Sequence, residues 1–274
     1  SWSLKRTLDT VEETSHAFYL PFSLRARLGD YDLSAIESEL ADIQAKIDDI
    51  AFDLYGFRDT DRSESLMSLS AAAEESRNTA EDISNSSEVV YQTDGLLSWA
   101  AGVVFGRFDW RLATGERETP PKPDPFDPLP AKSPGMLPDG TEPFHAHSGI
   151  LTDDQGHPND LARLIEEVLA RVDVPVPADV RRWLQRDFFP YHLKQYSKSR
   201  RKAPIYWPIS TNSSSYTLWL YYPSLTSQTL YSAVNDFIEG PTGKLQQVEH
   251  DLVALRSKGS ARSAADEKNF EKLL

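Results

Sequence analysis

The chain has 274 residues, a formal net charge of −13, 39% hydrophobic residues and no cysteine. That apolar content supports a packed core and excludes wholesale disorder, and the acidic balance confines any contact with a polyanion to a local patch. The lack of cysteine excludes disulfides, thiolate metal sites and cysteine nucleophiles.

From the N-terminus, residues 3–20 predict a helix stopped by Pro21. Ile36, Leu40, Ile43, Ile47, Ile50 and Leu54 follow the alternating 4, 3 spacing of a coiled-coil seam. They predict a heptad-like helix over 34–55, with Ser34 as N-cap and Gly56 as its stop. Residues 60–90 are rich in Ser, Glu, Asp and Asn and are expected to be a solvated helix or a mobile insertion. Asp94 is expected to cap a helix, GLLSWAAGVVFGRFDWRL, that is apolar almost all round and therefore buried. Its longest apolar run, 95–106, is about a dozen residues where a membrane helix needs roughly 20. No apolar run behind basic residues marks a signal peptide. A cytoplasmic protein without a membrane segment is expected.

The stretch 119–143 has a proline density that forbids helices and sheet ladders, and predicts a wrap or linker continuing to Pro158. Asn159 or Asp160 should cap a helix to Arg171, and a second helix should begin near Pro177. APIYWPIST and SYTLWLYY, separated by NSS, predict a β-hairpin over 203–222, with Pro208 placing its first strand at an edge or bulge. Helices are expected over 226–238 and 242–256, and the polar tail 259–274 is expected to fray. The fold class is thus α+β, mostly α, with one small antiparallel hairpin near the C-terminal end. Its parts are a helical region 1–112, a Pro-rich connector 113–158, a helical region 159–258 with a basic segment and the hairpin, and the tail.

The basic segment is YHLKQYSKSRRKAPIYW, 191–207. It carries Lys194, Lys198, Arg200, Arg201 and Lys202 with no acidic residue among them. Positive charge held against an acidic global balance points to phosphates, because each Lys or Arg seated on a phosphate releases counterions. The alternative is that these residues neutralise acidic neighbours. Tyr206 and Trp207 could stack on bases, or pack beneath a hairpin; in a strand they must face opposite sides, so only one can look outward. His145 and His147, with Asp153 and His157 nearby, match no metal-ligand spacing, so no metal site is expected. No Gly-rich cofactor turn, P-loop or Ser/His/Asp order stands out. The chain is expected to hold no catalytic residue and no cofactor of its own.

Four strings carry a family likeness: VEETSHAFYLP at 11–21, IAFDLYGF at 50–57, LLSWAAGVVFGRFD at 96–109 and YSKSRRKAPIYWPIS at 196–210. With YTLWLYYPSLTSQTLYSAVNDFI at 216–238, the chain resembles the C-terminal region of PglX-type adenine-specific DNA methyltransferases of BREX phage-defence systems. The related methylases of DISARM and type IIG restriction–modification systems are similar. The resemblance implies a non-catalytic portion of such an enzyme, or a separate subunit made of it. The cofactor S-adenosylmethionine and the catalytic loop would then belong to another segment. The implied partners are double-stranded DNA, the catalytic methyltransferase domain and other defence proteins. A different reading of the same chain is a protein-docking scaffold, suggested by the heptad seam and the acidic charge.

Overall fold

The computed structural model describes residues 2–29, 31–56, 81–118, 121, 127, 128, 130–177, 179–198, 201–212, 215–241 and 243–273. The chain forms two compact units. One comprises residues 1–146 and 160–204, the other residues 147–159 and 205–274.

The first unit is helical. Its helices include α1 (Trp2–Asp9), α2 (Phe22–Leu28), α3 (Leu33–Tyr55), α4 (Glu81–Val104), the single turn α5 (Arg111–Thr114) and α6 (Leu161–Arg171). In α4, Leu96, Leu97, Trp99, Ala100, Ala101, Val103 and Val104 are all buried. The second half of α4, apolar on nearly every side, can only be central. Against it packs α6, whose Leu161, Leu164, Ile165, Val168 and Leu169 recur at the 3–4 residue spacing of one helix face. Asp160 caps α6 as expected, though through its backbone position rather than a side-chain bond.

Several expected boundaries move, each for a local reason. The first helix ends at Asp9, not Pro21, because Thr10 Oγ1 donates to Thr7 O and Thr10 O accepts Tyr19 N–H at 2.8 Å, folding 10–19 into a loop. The N-cap of α3 is Asp32, whose carboxylate accepts Ala35 N–H at 3.0 Å, rather than Ser34. Gly56, at φ 64°, ends that helix as expected. Asp94 lies inside α4 and caps nothing; its carboxylate accepts Trp183 Nε1–H at 2.8 Å. The apolar helix stops at Val104, and Gly106 turns the chain at φ 71°. The expected solvated insertion 60–90 falls mostly outside the described residues; its last ten residues, 81–90, are helical.

Part of the Pro-rich stretch is an ordered wrap on the first unit. Gly135 N–H donates to Phe18 O at 2.8 Å, Asp109 N–H to Gly135 O at 3.0 Å, and Leu137 N–H to Arg107 O at 2.9 Å. A Cβ on Gly135 would stand 2.2 Å from Tyr19 O, so only glycine allows this approach. Buried Asp109 clamps the return of the chain, accepting from Arg111 Nε at 2.7 Å and Arg117 Nη1 at 3.1 Å.

The second unit holds a three-stranded antiparallel sheet: β1 (Ile150–Thr152), β4 (Tyr206–Ser210) and β5 (Thr217–Tyr221), in the order β1-β5-β4. The hairpin pairs Tyr206 with Tyr221 and Ser210 with Thr217, and Pro208 sits on an edge strand, as its missing N–H requires. The third strand, β1, was expected to be loop. It pairs Ile150 with Leu220 and Thr152 with Leu218. A helix over Thr229–Ile238 brings Ala233 and Phe237 onto Ile150, Tyr216, Leu218 and Leu220. A second helix, Lys244–Lys258, and a third, Ala264–Leu273, follow. The tail is therefore helical rather than frayed. Ser263 and Asp266 exchange side-chain-to-backbone bonds of 3.1 and 3.0 Å in a capping arrangement, and Lys258 reaches Asp266 at 2.9 Å. Together these hold the Asp266 carboxyl down to about 2.

Candidate nucleic-acid interface

A nearly continuous helical rod leads to the basic segment: α7 (Val180–Trp183), a wide turn over Leu184–Phe188, and α8 (Phe189–Gln195). Asp179, at φ 66°, starts it and accepts Arg182 N–H at 2.9 Å. The start expected near Pro177 thus lies three residues later. Pro190 has no N–H and its ring would clash with the carbonyl four residues back; the i→i+5 turn just before it opens the helix enough to let it pass.

Beyond the rod the chain makes a short ribbon, β2 (Ser197–Lys198) against β3 (Arg201–Lys202). The register sets Lys198 opposite Arg201 and Ser197 opposite Lys202. Arg201 and Lys202 are exposed, and, being adjacent in a strand, they address opposite faces of the ribbon. Lys194 is exposed on the last turn of α8. Arg200 lies outside the described residues, as does the side chain of Lys198. Upstream, Arg181 is spent on the fold: its Nη2 donates to the buried Asp160 carboxylate at 2.6 Å.

The ribbon is rooted in a buried polar cluster. Tyr196 N–H donates to His192 O and Ala203 N–H to Tyr196 O, each at 2.9 Å, closing the ribbon at its base. The Tyr196 hydroxyl donates to Glu13 Oε1 at 2.8 Å. Arg107 Nη1 donates to the same oxygen at 2.8 Å and also meets the Tyr196 hydroxyl. Ser98 Oγ donates to Glu13 Oε2 at 2.7 Å. Glu13 and Arg107 side chains are only 9% and 10% exposed. The guanidinium of Arg107 also lies over the Phe108 ring at 4.6 Å and the Tyr196 ring at 5.3 Å. His192, fully buried, lies against Tyr196 with ring centroids 4.4 Å apart and planes tilted by 34°. Burial, and secondarily the Arg107 cation, lowers its pKa from 6.5 to about 3, so it is neutral.

This cluster was missed in the sequence because its members are far apart. Glu13 and Tyr196 lie 183 residues apart, and Ser98 and Arg107 come from a third segment, so no local spacing announces the cluster.

The aromatic pair divides as strand geometry requires. Tyr206 is fully buried, its ring 5.6 Å from that of Tyr221, so it offers no face to a base. Trp207 is 45% exposed. Two of the three histidines of this stretch bond to backbone: His147 Nδ1 accepts Gly149 N–H at 2.9 Å and His157 Nδ1 accepts Asn159 N–H at 3.0 Å. Among the described residues no three His, Asp or Glu side chains gather as a metal site. None of the helices there is long and apolar enough to cross a membrane.

Compared with protein-family models, curated proteins and solved structures, the chain finds no match.

Proposed function

We propose that this chain is the DNA-engaging, non-catalytic portion of an adenine-specific, S-adenosylmethionine-dependent DNA methyltransferase of a cytoplasmic phage-defence or restriction–modification system. The observation that carries the DNA contact is the exposed cationic ribbon, with Arg201 and Lys202 on it and Lys194 at its approach, fixed at its base by Glu13, Arg107 and Tyr196. A rigid base lets such charges meet phosphates without a large ordering cost. The ribbon grips the duplex backbone, and the methyl transfer belongs to a separate catalytic domain, where the cofactor is bound. Because Arg201 and Lys202 address opposite faces, one of them meets each phosphate row when the ribbon lies edge-on in a groove. The test is fluorescence anisotropy with a labelled duplex across a salt series. Binding should weaken linearly in log–log form, and Arg201→Gln with Lys202→Gln should lower the slope by about 1 per lost phosphate contact. Undetectable binding at low salt, or binding indifferent to salt, overturns the reading.

A second reading, docking to another protein of the defence complex, is favoured by α3. Its seam residues become progressively bare along the helix: Ile36 is 9% exposed, Ile47 49%, Ile50 66% and Leu54 78%. Around them stand Glu37, Glu39, Asp42, Asp48, Asp49 and Asp53 against the single cation Lys46. The complement is an amphipathic helix with an apolar stripe and basic flanks.

A further inference from the structure

The first unit also holds an open cleft of about 570 Å³, well away in sequence from the ribbon. That volume lies within the roughly 300–1,000 Å³ range of small-molecule sites. Trp110 and Phe144 line it, their rings edge-to-face at 6.2 Å. Arg171, on the last turn of α6, lays its guanidinium over the Trp110 ring at 4.8 Å. Among the described residues Arg171 makes no ion pair, unlike Arg111 and Glu167, which also line the cleft. Arg111 is held by Asp109 at 2.7 Å, and Glu167 by Arg163. Glu142, at the rim, is exposed and makes no ion pair among the described residues.

These groups are chemically complementary to one kind of ligand. A guanidinium drawn over tryptophan at this distance is biased to one place in the cleft, and its fork of N–H donors suits a phosphate or carboxylate. Its outer face, like Phe144, accepts a planar ring. A lone carboxylate such as Glu142 accepts from an exocyclic amine but repels a carbonyl edge, as in recognition of cytosine N4. Rigidity comes from the fold: Trp110 follows the clamped Asp109, and Pro143 packs against the turn at Gly106, where an added Cβ would stand 3.2 Å away.

We infer that the Trp110–Phe144–Arg171 cleft binds a nucleotide with an amine-bearing base, its phosphate on Arg171, its ring against Phe144 or the Arg171 guanidinium, and its amine on Glu142. The ligand is either a free nucleotide or an unpaired nucleotide within a DNA strand. This goes beyond the ribbon and does not rest on it. The cleft needs no duplex, and the ribbon needs no base.

The experiment is calorimetric titration of the full chain with AMP, IMP, inorganic phosphate and a short single-stranded oligodeoxyadenylate, with tryptophan fluorescence in parallel. AMP should bind at least about tenfold tighter than IMP and phosphate, and quench a signal that Trp110→Phe removes. Arg171→Gln and Arg171→Lys should each weaken AMP by about tenfold or more, since Lys keeps the charge and loses the planar fork. Glu142→Gln should erase the preference over IMP. Arg171 is exposed, so these variants fold, which a far-ultraviolet spectrum checks. An oligodeoxyadenylate that binds tighter than AMP, with the same dependence on Arg171, makes the ligand part of a strand; a weaker one makes it a free nucleotide. AMP binding no tighter than phosphate, or unchanged by Arg171→Gln, overturns the inference. Arg201→Gln with Lys202→Gln should leave AMP binding intact, so loss of duplex binding and loss of nucleotide binding are read separately.

Discussion

Lowering the pH should undermine the ribbon's foundation through His192. This side chain is fully buried among the rings of Phe188 and Tyr196 and faces the Arg107 cation, itself paired to Glu13. Its pKa falls from 6.5 to about 3 on folding. A base that is harder to protonate when folded favours the unfolded chain as protons become available. Stability is therefore complete above pH 6.5, starts to fall as the pH drops through 6.5, and goes on falling at about 1.4 kcal/mol per unit until about 3. Between pH 7.5 and 5.0 these two values give a loss of about 2 kcal/mol from this residue alone. Carboxylates titrate over part of that range too, so the measurement is a difference. Urea unfolding of the wild type and of His192→Gln is followed at both pH values. The variant is less stable at pH 7.5, because it loses the ring contacts with Phe188 and Tyr196. The gap between the two proteins should then shrink by about 2 kcal/mol at pH 5.0. A gap that stays constant to within about 0.5 kcal/mol would show that His192 is not held neutral, and the account of this cluster would be wrong.

Arg107→Met should cost about 3–5 kcal/mol, because it leaves the Glu13 carboxylate buried without its cation; chemical denaturation measures this, and a loss below about 1 kcal/mol would mean the pair is solvated. On the proposed DNA-binding reading the same variant should also weaken duplex binding, although Arg107 is nearly buried, since Tyr196 loses a partner at the ribbon's base. Gly135→Ala should destabilise by at least about 1–3 kcal/mol, because its new methyl would meet Tyr19 O at 2.2 Å and backbone cannot swing aside; a calorimetric melt reads this. Ile47→Asp with Ile50→Asp should change stability by no more than about 0.5 kcal/mol each, both residues being exposed, while abolishing capture of a basic amphipathic helix in a pull-down. If stability instead collapses, the seam is internal and the docking reading fails.

Much of the local structure was written in short-range pattern. The 3–4 residue spacing of α6, the heptad seam of α3 with Gly56 behind it, and the hairpin with Pro208 on its edge strand all follow from side-chain periodicity and φ preference, which act within a few residues. So did the split between Tyr206 and Trp207, because a strand alternates faces whatever surrounds it. The capping box of the last helix is equally local, in Ser263 and Asp266, within a stretch whose polarity reads as a fraying tail. What only the tertiary structure decided are pairings between distant residues. Nothing in ILT announces a strand until Leu218 and Leu220 offer it an edge, which also carries 147–159 into the same unit as the hairpin. Asp94 reads as a cap until Trp183, almost ninety residues on, needs an acceptor. Glu13, Ser98, Arg107 and Tyr196 are unremarkable one by one; burial brings them together, and a buried charge tolerates only partners that are themselves in place. The division follows from the range of the forces: backbone preference and periodicity are set by neighbours in the chain, whereas desolvation is set by neighbours in space.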